Sequence, residues 1–133
     1  MANLTTTECL ARMKQLSETF LTERAAYGAA RIEWHKKHEQ VLRIIQSGAF
    51  EYLKNEVARK ILKTVIDDNR LGKMTIADKD AIAKLEHAEL FDVYDTAKFN
   101  SETSEKAFKM FSDTLIGTIG EAKLEQKSVG FSA

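Results

Sequence analysis

Proline is missing from the sequence, and glycine occurs only six times in 133 residues. Hairpins, sandwiches and βα units need more turn punctuation than that. No run of about 18 apolar residues occurs, so no membrane-spanning helix is expected. Cys9 has no second cysteine to pair with, which excludes an intramolecular disulfide and suits a reducing compartment. The opening MANLTTTECL lacks the basic and apolar regions of a secretory signal, so a cytoplasmic location is expected. Net charge is also missing, but the zero hides an asymmetry. Residues 1–63 carry eleven Lys and Arg against seven Asp and Glu, a balance of +4; residues 64–133 carry nine against thirteen, a balance of −4. The basic half suits a polyanion. Equally, the two halves suit each other, within one fold or between subunits.

What the sequence does contain is helix formers: Ala, Leu, Ile, Lys and Glu. The expected fold is all-α, a single helical domain over 1–133 of about four helices. It should have a long broken central helix, a C-terminal amphipathic helix for oligomerisation and a loose tail at about 128–133. Thr5 and Glu8 have capping-box spacing and open the first helix. Leu10, Met13, Leu16 and Phe20 form its apolar stripe, and Gly28 interrupts it. The second helical stretch spans Arg31 to Asp67. Val41, Leu42, Ile45 and Ala49 lie on one face; Leu53, Val57, Ile61 and Val65 lie on another. A break at Gln46–Gly48 lets both faces be buried. DDNRLGK reads as a loop with Gly72 as its turn or cap. Thr75 and Asp78 open a helix from Ile76 to about Phe99 with an acidic surface of Asp78, Asp80, Glu86, Glu89, Asp92 and Asp95. FNSETS is the next expected break. The last helix, from about Ser101 to Gln126, carries Phe108, Phe111, Leu115, Ile119 and Ala122 in a heptad-like stripe suited to a bundle or a second subunit.

Catalytic chemistry finds little to stand on. His35 and His38 are three apart, but a zinc site needs three or four protein ligands. Neither H-E-x-x-H nor Glu-x-x-His occurs. The glycine-rich phosphate loops are absent as well. Cys9 has no histidine near it in sequence. The expectation is no catalytic residue, no metal and no cofactor: a protein that is not an enzyme.

Charge and aromatics offer more. In RIEWHKKHEQVLRII, the only Trp of the chain, Trp34, falls on the apolar side of its helix, which suits a core or subunit contact better than a base-stacking platform. Lys36 and Arg43 lie on the opposite side, with Lys37 beside them. Arg59, Lys60 and Lys63 group away from the Leu53–Val57–Ile61–Val65 stripe, and Lys54 flanks it. Such a face can track phosphates, because those contacts require only charge and position. These seven are the candidate DNA-binding residues.

EWHKKHEQVLRII and YLKNEVARKILK together resemble the phage UvsY family of recombination mediators, over roughly residues 31–125. Trp34, Lys37 and His38 stand at the spacing of that family's Trp-x-x-Lys-His. About twenty residues on, Ala58 and Arg59 match its Lys-Ala-Arg-Leu stretch, while Val57 replaces the Lys and Lys60 the Leu. AFKMFSDTLIGTIGEAK looks like its final assembly helix. The resemblance implies a homo-oligomer in the cytoplasm of a bacterial host that binds single-stranded DNA. Its further partners would be a strand-exchange recombinase and a single-strand-binding protein. The rival expectation is a small helical phage or bacterial protein that binds a host protein and inhibits or adapts it, with the acidic helix as partner surface or nucleic-acid mimic. A third is a purely structural oligomer.

Overall fold

The computed structural model describes residues 5–132, with side chains described for 5–116. Among these residues the chain is all-helical, without a strand, as expected. Four α-helices follow in order: α1 Thr6–Ser47, α2 Glu56–Asp67, α3 Ile76–Glu86 and α4 Ala88–Ser132. Short 3-10 turns at Phe50–Tyr52 and Leu71–Lys73 join the first three. The sequence suggested one domain; the chain divides into two compact units, Ala26–Ala97 and Met1–Ala25 with Lys98–Ala133. The helices α1 and α4 each contribute to both.

Local chemistry sets most of the boundaries. Thr5 and Glu8 form a reciprocal capping box: the Glu8 N–H donates to Thr5 Oγ1 and the Thr5 N–H to Glu8 Oε2, each at 3.1 Å. Thr75 and Asp78 repeat it at the start of α3. Asn55 caps α2 by accepting the Ala58 N–H at 2.9 Å. The helix α1 ends in a Schellman motif, as the expected break at Gln46–Gly48 requires: the Gly48 N–H donates to Ile45 O, the Ala49 N–H to Ile44 O, and Gly48 takes a φ of 71°. The same motif ends α2, where Asn69 has φ 56° and the Asn69 and Arg70 N–H groups donate to Ile66 O and Val65 O. Asn69, not Gly72, therefore makes this cap.

Three other expectations are corrected. Gly28 does not stop α1, and a Cβ there would meet nothing within 4 Å. FNSETS is not a break: α4 runs through it, with Ser101 buried on its packed side. The break falls instead at His87, whose φ of −125° and ψ of 49° separate α3 from α4. The buried face of α2 also differs. Ala58 and Leu62 are fully buried and Ile66 packs against the core, whereas Val57 is 54% and Ile61 39% exposed.

Among the residues whose side chains are described, the core lies in residues 26–97. Trp34, Val41 and Ile45 of α1, Leu53 of the link, Ala58 and Leu62 of α2, and Ile82 and Ala83 of α3 form one cluster. Phe91 and Tyr94 of α4 pack on it. Each fully buried Leu or Ile contributes about 1.5–3 kcal/mol. The other unit pairs two helical segments along a half-buried seam. Met13, Leu16 and Phe20 lie on one side, and Phe108, Phe111 and Leu115 on the other; Phe20 and Phe108 have ring centroids 6.1 Å apart. Leu10, expected in the apolar stripe of the first helix, is exposed. Ile119, Ala122 and the expected tail at 128–133 lie outside the residues whose side chains are described.

Candidate nucleic-acid interface

The seven basic candidates fall in several different settings. Lys36 and Arg43 are exposed on the side of α1 opposite Trp34, Val41 and Ile45. Lys60 and Lys63 are exposed on the outer side of α2, away from Ala58 and Leu62. Lys37 is half-buried on the flank of α1, and Lys54 is exposed in the link before α2. None of these six forms an ion pair with a described residue.

Arg59 behaves differently. Its Nε and Nη2 donate to Leu53 O at 3.0 and 2.9 Å, and Nη2 reaches Lys54 O at 3.5 Å. The extended backbone at Leu53 leaves that carbonyl outside any helix ladder, and a bidentate guanidinium satisfies it. Arg59 is thus committed to holding the link, although it is the one basic match to the family's Lys-Ala-Arg-Leu stretch.

A second clamp acts on the same link. Glu86 ends α3, and its carboxylate accepts the Lys54 N–H at 2.6 and 2.9 Å and the Asn55 N–H at 3.3 Å. These bonds hold the chain entering α2 against the end of α3. On the other side of the joint, the Trp34 ring packs on Phe91 with centroids 5.0 Å apart, and the Phe91 N–H donates to His87 O at 2.9 Å. The α3–α4 joint thus has the Lys54 link held at its Glu86 side and Trp34 of α1 packed one turn further on, at Phe91. Burial pushes the pKa of the half-buried His87 ring below the ordinary 6.5; Glu86 pulls it up, and Lys37 and Lys54 push it further down. Neither Glu86 nor His87 stands out in the sequence, since their partners lie some thirty to fifty residues away.

His35 and His38 take separate partners. His38 Nε2 lies 3.1 Å from Asp80 Oδ1, and Lys84 holds the other Asp80 oxygen at 3.0 Å. Exposed His35 stands beside Arg31, at 3.5 Å, and Tyr94. Trp34 is buried among His38, Phe91 and Tyr94, on the apolar side as expected. No group of three His, Cys, Asp or Glu side chains placed for a metal occurs among the described residues. An apolar groove of about 700 Å3 runs between Leu42 and Ile45 of α1, Leu71 and Ile76; His38 and Lys79 are its ionisable lining.

The acidic surface expected on 76–99 is partly spent inside the fold. Asp78 caps α3, Asp80 ties His38 and Lys84, and Glu86 clamps the link. Glu89, Asp92 and Asp95 remain exposed on α4. Among the described residues, no helix is long and apolar enough to cross a membrane. No family model, no curated protein and no solved structure matches the chain.

Proposed function

We propose that the chain is a non-enzymatic mediator of recombination that binds single-stranded DNA as a homo-oligomer and helps load a strand-exchange recombinase. The observation that carries this reading is the set of free cations on the core-bearing unit. Lys36, Arg43, Lys54, Lys60 and Lys63 are exposed and have no carboxylate partner among the described residues. Phosphate contacts need only such charges in position, and they bind a strand without reading its sequence. The resemblance of residues 31–125 to the UvsY family supplies the recombinase and the single-strand-binding protein as partners. The half-buried Phe108–Phe111–Leu115 stripe, continued in sequence by Ile119, supports assembly with further copies.

Fluorescence anisotropy with labelled oligothymidylate at two salt concentrations tests the reading. Affinity should fall steeply with salt, by about 0.7 in log–log slope for each phosphate neutralised on a single strand. No binding at low salt would reject it. The second reading, a protein that binds and inhibits or adapts a host protein, is favoured by one observation: Val57 and Ile61 leave an apolar flank on α2 open to solvent. An inhibitor of that kind ignores oligonucleotides at every salt concentration.

A further inference from the structure

Residues 26–97 hold six aromatic side chains, and all but one are spent in packing. Trp34 is buried, and Tyr27, Phe50, Phe91 and Tyr94 are half-buried. Tyr52 is 71% exposed. Among the described residues no other aromatic ring lies against it, and its hydroxyl makes no hydrogen bond. The backbone that carries it is pinned. The Tyr52 N–H donates to Ala49 O at 3.1 Å and the Leu53 N–H to Phe50 O at 3.0 Å, closing the turn Phe50–Tyr52. Phe50 packs on the core before it, and Leu53 is buried after it. Arg59 holds the Leu53 carbonyl, and Glu86 holds the Lys54 N–H. The chain is thus tied down on both sides of a ring that is left in water.

We propose that Tyr52 is a base-stacking residue, whose ring takes one base of the bound strand. This rests on the single-stranded-DNA reading and adds what phosphate contacts lack, a surface for the bases. Trp34, the aromatic that the sequence puts forward first, is excluded by its burial. Every base has a π-face, so stacking on an aromatic ring tolerates any sequence, as a mediator requires. It also favours an unpaired strand over a duplex, whose bases must first be unstacked. The pinned turn needs no ordering when the base arrives, which keeps the cost of binding low. Lys54 follows two residues on, so the two Cα atoms stand within about 7 Å. Its ammonium forms no ion pair with a described residue and is free for a phosphate beside the stacked base. Glu51 and Glu56 are exposed nearby and offset part of the charge there. The contribution of the ring does not depend on that balance, because a base is neutral.

The test is fluorescence anisotropy on the full chain with two labelled strands of equal length. One is oligothymidylate; the other is abasic and keeps the phosphates without the bases. Tyr52→Ala should weaken oligothymidylate about fivefold or more, the lower end for one lost stacking contact. The salt slope should stay the same, because no phosphate contact is lost. The abasic strand offers nothing to stack, so its affinity should not follow the substitution. Tyr52→Phe keeps the ring and should keep the affinity. Tyr52→Trp gives a direct signal: oligothymidylate should quench the emission of the exposed indole, and the abasic strand should not. The side chain stands largely in solvent, and circular dichroism checks that each variant stays helical. If Tyr52→Ala weakened both strands alike, the residue would act through the fold or the assembly, and stacking would be wrong. If the unmutated chain and Tyr52→Ala bound oligothymidylate equally, the site would be wrong while the DNA reading stood. If neither strand bound at low salt, the DNA reading would fall and the site with it.

Discussion

Residues 26–97 and the paired segments 1–25 and 98–133 differ in how much they bury. Every buried hydrophobic residue, from Ala30 to Ala97, belongs to the first; the second has Ser101 as its buried residue among those described. Both use amphipathic helices. The first surrounds its apolar residues with four helical segments and two turns, whereas the second sets two segments side by side, and two helices can cover only one stripe of each other. Its seam is therefore half-open, and Leu21, Phe99, Met110 and Ile116 remain exposed besides. The one region has the burial of a domain that holds itself together. The other leaves apolar side chains of its described residues open to solvent, which the proposed assembly would cover.

The largest expected effect tests the first half of that contrast. Leu62→Ala or Ile82→Ala removes a fully buried side chain and should cost about 2–5 kcal/mol in urea unfolding. Leu16→Ala, in the seam, should cost well under that in the isolated chain. Equal losses would erase the distinction between the regions.

Assembly tests the second half. If other copies complete the seam, light scattering should give a mass several times that of one chain. Leu115→Asp should lower it by placing a charge in an apolar contact. A single-chain mass throughout the micromolar range would show that the half-open seam stands alone.

Arginine and lysine separate stability from binding within residues 26–97. Arg59→Ala leaves the Leu53 carbonyl unpaired and should cost about 1–3 kcal/mol. Lys60→Ala with Lys63→Ala should leave the unfolding midpoint nearly unchanged and flatten the salt slope of strand binding by about 1.4. If Arg59→Ala flattened the slope with stability unchanged, its bonds to the link would not be its main task.

The legibility of the sequence follows the same division between local and distant causes. Both capping boxes, the break at Gly48 and the helical class rest on neighbours within a few residues, and each is readable from spacing alone. On α2 the spacing points to the wrong face, because Leu53, outside the helix, continues the i, i+4 series into Val57 and Ile61. Packing chose Ala58 and Leu62 instead, a small residue allowing close approach. FNSETS reads as a break from weak helix formers, yet tertiary contact at Ser101 overrides propensity. The joint at His87 carries no Gly or Pro. The basic residues were identifiable by type, but the division among them was not, because a carbonyl six residues back decides Arg59 and a carboxylate thirty-two residues on places Lys54.

Two glycines with opposite expected effects sharpen the picture of α1. Gly28 sits in continuous helix with open space around its missing side chain. Gly28→Ala should stabilise by up to about 1 kcal/mol. Gly48 has a φ of 71°, while an added Cβ would stand at an ordinary 3.6 Å from Ile66 Cδ1. Gly48→Ala should therefore destabilise through backbone strain alone, by about 1–2 kcal/mol. Thermal melts of the two variants should move in opposite directions.

The smallest effect is a pH dependence at the joint. The pKa of the His87 ring is lowered in the fold, first by burial and then by Lys37 and Lys54, against the pull of Glu86. An unfolded chain then binds a proton that the folded chain refuses. Stability from this group is fully present above the ordinary value of 6.5, falls as the pH drops through it, and levels off below the folded-state value. Urea midpoints measured downward from pH 7.5 should show this loss begin near neutrality, ahead of the carboxylates. His87→Gln should remove that early part of the slope. Lys37→Ala should shrink it, because taking away one repelling ammonium lets the folded ring accept its proton more readily. A slope unchanged by either substitution would mean that the ring does not feel the cations beside it, and the joint would be packing alone.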